Sequence, residues 1–218
     1  MTLPLEVLPD AESAARRVAA LIAERARHAE DVLSLAVSGG STASYLFRAL
    51  ADEDVPWERV AIYQVDERVA PPGHPDRNLT HLLVELPNGA RPDLHPMPVD
   101  ESDLEAAAAS YAATLPEALD LVHLGLGEDG HTASLVPGDP VLEVTDRLVA
   151  VTGEYRGRRR MTLTSPALAA AREVVWLVAG AGKRDALAKL VAGDPSIPGS
   201  RVAAENQLVV ADEAAAGT

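Results

Sequence analysis

Apolar and polar positions along this chain follow two periods. Short, nearly uninterrupted apolar runs occur at 33–37, 59–65, 120–126, 148–152, 173–179 and 207–210. Runs of this length, bounded by turn residues, predict strands buried on both faces, as in a parallel sheet. The segments between them follow helical spacing. Ala14, Val18, Leu21 and Ile22 share one face of a helix that Asp10 is placed to cap. Ser41 or Thr42 is placed to cap the next, which runs through Leu46 to Leu50, and further helices are expected over 102–118, 166–171 and 183–191. Strand and helix alternate throughout, which predicts an α/β fold: a mostly parallel, doubly wound sheet with helices on both faces. No internal repeat interrupts the pattern. Pro71-Pro72-Gly73-His74-Pro75 is too short for a domain linker and reads as a rigid loop, so residues 1–218 are expected to form a single domain.

Open sheets of this kind bind ligands at the carboxyl ends of their strands. Three such ends carry chemistry. Ser38-Gly39-Gly40-Ser41-Thr42 stands between a strand and a helix, where glycines let backbone N–H groups approach a ligand and a helix start favours an anion. An ordinary strand–helix turn has the same look. Asp66-Glu67-Arg68 puts three charges directly after a strand, either solvated or in a site. Gly127-Glu128-Asp129-Gly130-His131-Thr132-Ala133-Ser134 supplies a histidine base and an acid able to orient it; a surface histidine in a turn is the plainer alternative. Lys183 is one of only two lysines and follows the 173–179 strand, while Arg158-Arg159-Arg160 is either a solvated face or a local positive patch.

Composition narrows the choices. The net charge is −14 at pH 7, so the overall field repels nucleic-acid backbones and anionic membranes, and any anionic ligand needs a locally positive site. The chain has no cysteine, which removes disulfides, thiol nucleophiles and cysteine zinc sites. The six histidines are scattered without ligand spacing, so neither a metal nor another cofactor is expected. The first residues lack the basic and apolar regions of a signal peptide, and the longest charge-free stretch, 32–47, is short and broken by polar residues. A cytoplasmic protein, a monomer or small homo-oligomer with no membrane or nucleic-acid partner, is the expectation. Gly125-Leu126-Gly127-Glu128-Asp129-Gly130 matches a dinucleotide fingerprint, but Glu128 and Asp129 would face the pyrophosphate and Pro137, Gly138 and Pro140 cut short the helix it needs. Gly180-Ala181-Gly182-Lys183-Arg184 lacks the first glycine and the Ser/Thr of a nucleotide-binding loop, and Ser38 is not in a G-x-S-x-G elbow.

Taken in order, Leu35-Ala36-Val37-Ser38-Gly39-Gly40-Ser41-Thr42, Asp66-Glu67-Arg68-Val69-Ala70-Pro71 with His74-Pro75-Asp76-Arg77-Asn78, Gly125 through Leu135, Arg160-Met161-Thr162-Leu163-Thr164 and Gly180-Ala181-Gly182-Lys183 resemble the 6-phosphogluconolactonase family, within the group that includes glucosamine-6-phosphate isomerase/deaminase. The resemblance spans roughly 33–190 and implies hydrolysis of 6-phospho-D-glucono-1,5-lactone, a phosphorylated sugar lactone, in the oxidative pentose phosphate route. It implies that Ser38, Gly39, Gly40, Ser41, Thr42, Arg160 and Lys183 hold phosphate and that Asp66 and Arg68 contribute to substrate binding. His131 would activate water, oriented by Asp129 or a neighbour. In the isomerase relatives the fifth residue after the histidine is a glutamate that completes a relay; here it is Val136, which has no proton to move.

Overall fold

The computed structural model describes residues 2–218. Its centre is a seven-stranded sheet built from β1 (Leu5–Leu8), β2 (Leu33–Val37), β3 (Val60–Gln64), β5 (Asp93–His95), β6 (Leu121–Leu124), β9 (Val174–Val178) and β10 (Gln207–Asp212), in the order β1-β10-β9-β6-β2-β3-β5. Every pairing in it is parallel. The chain winds from β2 toward β3 in one direction and from β6 toward β9 in the other, so neighbours β2 and β6 flank the switch point of a doubly wound sheet.

The period-two alternation of these strands sorts their side chains into two cores. Leu35, Ile62 and Leu121, side by side in register, pack with Val175, Leu177 and Val210 beneath the apolar stripes of α1 (Ala11–His28) and α2 (Ser41–Leu50). On the opposite face Val122, Leu124, Trp176 and Val209 pack with residues of α4 (Leu104–Ala112), α5 (Ser165–Ala169) and α6 (Arg184–Ala192). Burial of each such Leu, Ile or Trp stabilises the fold by roughly 1.5–3 kcal/mol. Among the described residues no helix is long and apolar enough to cross a membrane.

Four expectations are corrected. The 148–152 strand forms, as β7 (Val149–Val151), but outside the parallel sheet: it pairs antiparallel with β8 (Arg160–Leu163), which pairs antiparallel with β4 (Asp66–Arg68), making a separate three-stranded sheet. Asp66-Glu67-Arg68, expected as three charges just past the end of a strand, is therefore a strand of its own. The helix after Gly40 is capped by neither Ser41 nor Thr42. Gly40, at φ +99°, occupies the cap position, a conformation that favours glycine, and Ser41 and Thr42 are the first two helical residues. Finally, the 102–118 helix is only Leu104–Ala112, held at its start by the Asp103 carboxylate. Further elements were not predicted from the sequence: β1, β5, β8, α3 (Asn78–Glu85) and the short α7 (Glu213–Ala216).

Candidate active site

The parallel strands all end at one edge, and the loops leaving β2, β6 and β9 meet there with β4 and β8. They enclose a cavity of about 200 Å³. Ser38, Gly39, Gly40, Ser41, Thr42, Asp66, Arg68, His131, Arg160 and Lys183 all line it. Asp129 stands behind His131 as its hydrogen-bond partner.

The glycine loop closes the β2 end. Ser38 donates through both its amide and its hydroxyl to the His123 carbonyl on neighbouring β6, fixing the loop's base. Gly39 is required by contact: a Cβ there would lie 2.0 Å from Asn78 Oδ1. Because α2 begins without a side-chain cap, its first N–H groups and the positive end of its dipole face the cavity.

The wall opposite is organised by Glu67, fully buried at 0% exposure. Its carboxylate accepts from the amides of Arg68 (2.7 Å), Asn78 (2.7 Å) and Leu79 (2.8 Å) and from Gln64 Nε2 (3.0 Å), and it lies 3.2 Å from Arg77 Nε. So many donors offset the cost of burying the charge, and the carboxylate takes over the N-terminus of α3, which lacks a cap of its own. Asn78 is thereby set beneath Asp66: its Nδ2 donates to the Asp66 carbonyl and to Oδ1. Asp66 Oδ2 accepts from Ser134 Oγ at 2.6 Å and lies 4.0 Å from Arg160. Glu67 is thus structural, and Asp66 alone of this acidic pair faces the cavity.

The three consecutive arginines separate because only Arg160 belongs to β8, while Arg158 and Arg159 lie in the hairpin before it. Arg158 pairs with Asp76 at 2.9 Å, Arg159 is exposed, and Arg160 turns inward, 7% exposed. Burial, only partly offset by Asp66, pushes the Arg160 guanidinium below its ordinary value, and its buried Nε has no partner. An arginine remains a cation at any physiological pH, so this is an under-satisfied positive group aimed at a cavity. Lys183 ends the short turn Ala181–Lys183 before α6; Asp212 anchors that turn by accepting from the Gly180 amide at 3.0 Å. Among the described residues Lys183 makes no ion pair.

His131 sits at the β6 end. Its Nδ1 lies 2.5 Å from Asp129 Oδ1, which also accepts the His131 amide at 3.2 Å. With Nδ1–H donating to the carboxylate, Nε2 keeps its lone pair. Burial pushes the Asp129 carboxyl up, but hydrogen bonds from His131 and Tyr155 outweigh it and hold the group below the usual carboxylate range, so it is ionised at neutral pH. Gly127 makes room for the pair: a Cβ would fall 2.0 Å from His131 Nδ1 and 2.6 Å from Asp129 Oδ1.

The sequence reading passed over Asn78, Arg156 and Tyr155. Asn78 and Arg156 line the cavity, and the Tyr155 hydroxyl donates to Asp129 Oδ2 at 3.0 Å. Asn78 was legible as part of a motif but not as a neighbour of Asp66; the other two reach the site only through a hairpin whose approach no local pattern encodes.

Known proteins share this architecture. Residues 9–210 match the model of the glucosamine-6-phosphate isomerases/6-phosphogluconolactonase family. The chain is 40% identical over 192 residues to a 6-phosphogluconolactonase of Synechocystis, covering 81% of this chain and 76% of that one. It is 36% identical to one of Nostoc, covering 100% and 98%. Among solved structures, a 6-phosphogluconolactonase from Shewanella baltica superposes with a TM-score of 0.86 at 25% identity, covering 96% of this chain and 97% of that one. A monomeric glucosamine-6-phosphate deaminase superposes at 0.85 with 18% identity over 99% of each chain, a likeness of fold alone. The chain belongs to the glucosamine-6-phosphate isomerase/6-phosphogluconolactonase family.

Proposed function

We propose that this chain hydrolyses 6-phospho-D-glucono-1,5-lactone to 6-phospho-D-gluconate, the lactone-opening step of the oxidative pentose phosphate route. The observation that carries the reading is the Asp129-held imidazole of His131 in one cavity with Arg68, Arg156, Arg160, Lys183 and the start of α2. The cations and the helix start hold the phosphate, with Asp66 and Arg68 on the sugar. His131 Nε2 takes a proton from water as the oxygen adds to the lactone carbonyl carbon. The resulting oxyanion lies among positive groups and backbone donors. As it collapses, the bond from the carbonyl carbon to the ring oxygen breaks, and the imidazolium returns its proton to that oxygen, which leaves as a hydroxyl. The new carboxylic acid then ionises. Neither a metal nor a cofactor enters this sequence.

The family also contains an isomerase activity. That chemistry needs a proton relay around the histidine, and Val136, buried and apolar, supplies neither donor nor acceptor. The test is paired. The protein should accelerate lactone hydrolysis well above the spontaneous rate while releasing no ammonia from glucosamine 6-phosphate. Ammonia release at a rate comparable to lactone hydrolysis overturns the assignment.

A further inference from the structure

We propose that Tyr155 is a positioning residue for His131, acting through Asp129, and that the hairpin carrying it is a working part of the site; this deepens the reading above and rests on it. Asp129 is only partly shielded, with 39% of its side chain exposed, so its carboxylate needs fixing to orient an imidazole. Its two oxygens are divided. Oδ1 serves His131, and Oδ2 accepts a single hydrogen bond, from the Tyr155 hydroxyl at 3.0 Å. Apart from His131 itself, Tyr155 is the one side chain among the described residues that holds this carboxylate against rotation away from Nδ1. The Tyr155 ring also meets the imidazole edge-on, at 5.6 Å between centroids and 62°, which limits its tilt.

The tyrosine is itself held from three directions. Arg160 and Arg156 place their guanidinium groups over its ring at 5.0 and 5.1 Å. Tyr155 and Arg158 close a two-residue turn, with Arg156 at φ +51° and Gly157 at φ +77°, the backbone of a tight hairpin between β7 and β8. Arg158 then ties that hairpin to Asp76 at 2.9 Å. Burial and the Asp129 carboxylate raise the phenol's pKa, so it stays protonated and a donor wherever a histidine can act as base. The groups facing His131 and Tyr155 are Asp129, Arg156 and Arg160, with Asp66, Arg68 and Lys183 across the cavity. All of these stay in place in Tyr155→Phe, so that variant isolates the hydroxyl.

Losing that bond frees Asp129 to turn from Nδ1 and loosens its hydrogen bond to the imidazole. In Tyr155→Phe the Nδ1–H signal of His131, followed by NMR of histidine-labelled protein and assigned with His131→Gln, should broaden and move upfield, the mark of a weakened hydrogen bond. The value of kcat should fall about fivefold with KM nearly constant and Tm unchanged. An unmoved Nδ1–H signal with unaltered kcat overturns the proposal, as does a fall in kcat that only tracks a lowered Tm. The NMR signal needs no substrate, so a protein that fails to hydrolyse the lactone refutes the proposed function while the Nδ1–H signal still decides the role of Tyr155.

Discussion

His123 offers a sharp test of how this fold holds its site. It lies in the central strand β6, on the sheet face of Leu121, between Val37 and Val175 in register. It is fully buried, and neither ring nitrogen has a partner, although its backbone carbonyl anchors Ser38. Burial pushes its pKa from 6.5 down to about 4. The folded-state value is depressed, so above about pH 6.5 the imidazole is neutral in both states and costs nothing in proton binding. As the pH falls below that, the unfolded chain gains a proton that the native state refuses. This linkage lowers stability by about 2 kcal/mol at pH 5 and about 3 kcal/mol once the pH is below 4. His123→Leu removes the titration while keeping an apolar body of similar size, and near pH 7.5 it should be at least as stable, since two unpaired nitrogens disappear. Denaturant unfolding of both proteins at about pH 7.5 and 5 should therefore show the variant gaining about 2 kcal/mol on the parent, or roughly 4–8 °C in Tm for a chain of this size. Comparing the two proteins cancels the carboxylates and other histidines. A stability difference identical at both pH values would refute the reasoning.

His131→Ala should lower kcat by about 10²–10⁴ with little change in KM, since in the proposed mechanism the imidazole activates water rather than holding the phosphate; steady-state kinetics decide this. Arg160→Met and Lys183→Ala should each cost about tenfold or more in kcat/KM for the phosphorylated lactone and little for the same lactone without phosphate; equal losses on both would move these cations to the carbonyl. Gly127→Ala, with its Cβ forced to 2.0 Å from His131 Nδ1, should lower kcat while leaving phosphate binding intact, checked by kinetics and by an inorganic phosphate titration.

The five inner strands of the parallel sheet were legible because they are buried on both faces and need no distant partner to look apolar. What escaped notice depends on contacts far along the chain. β4 is three charged residues, Asp66, Glu67 and Arg68, and reads as solvent-facing until Gln64, Arg77, Asn78 and Leu79 bring their donors to Glu67. The same carboxylate starts α3, eleven positions away from Asn78, so no local cap announced that helix. β1 is an edge strand with Leu5 and Val7 partly exposed, and it exists through its register with β10 near the other end of the chain. The arginine run was ambiguous for a simpler reason. Arg158 and Arg160 share a parity, so alternation cannot choose between them; only the pairing of Arg160 with Arg68 of β4 sets it in the wall of the site.

The arrangement of charge explains why an acidic chain can serve an anionic substrate. Acidic residues outnumber basic ones by 33 to 19 overall, yet the cavity is lined by four cationic side chains and a single carboxylate, Asp66, whose oxygens are taken up by Ser134 and Asn78. These two fields act over different ranges. Cations work on a phosphate by contact, at hydrogen-bond distance, where salt screens them little; the −14 of the whole chain acts across solvent and fades over about 10 Å at ordinary ionic strength. Under the proposed function, lactone and product carry the same phosphate and would gain the same contacts from Arg160 and Lys183. They differ by the carboxylate that hydrolysis creates. The outer field, proportional to ligand charge, therefore opposes the product more than the substrate. On that reading the acidic surface favours product departure, while the cations lining the cavity decide what enters.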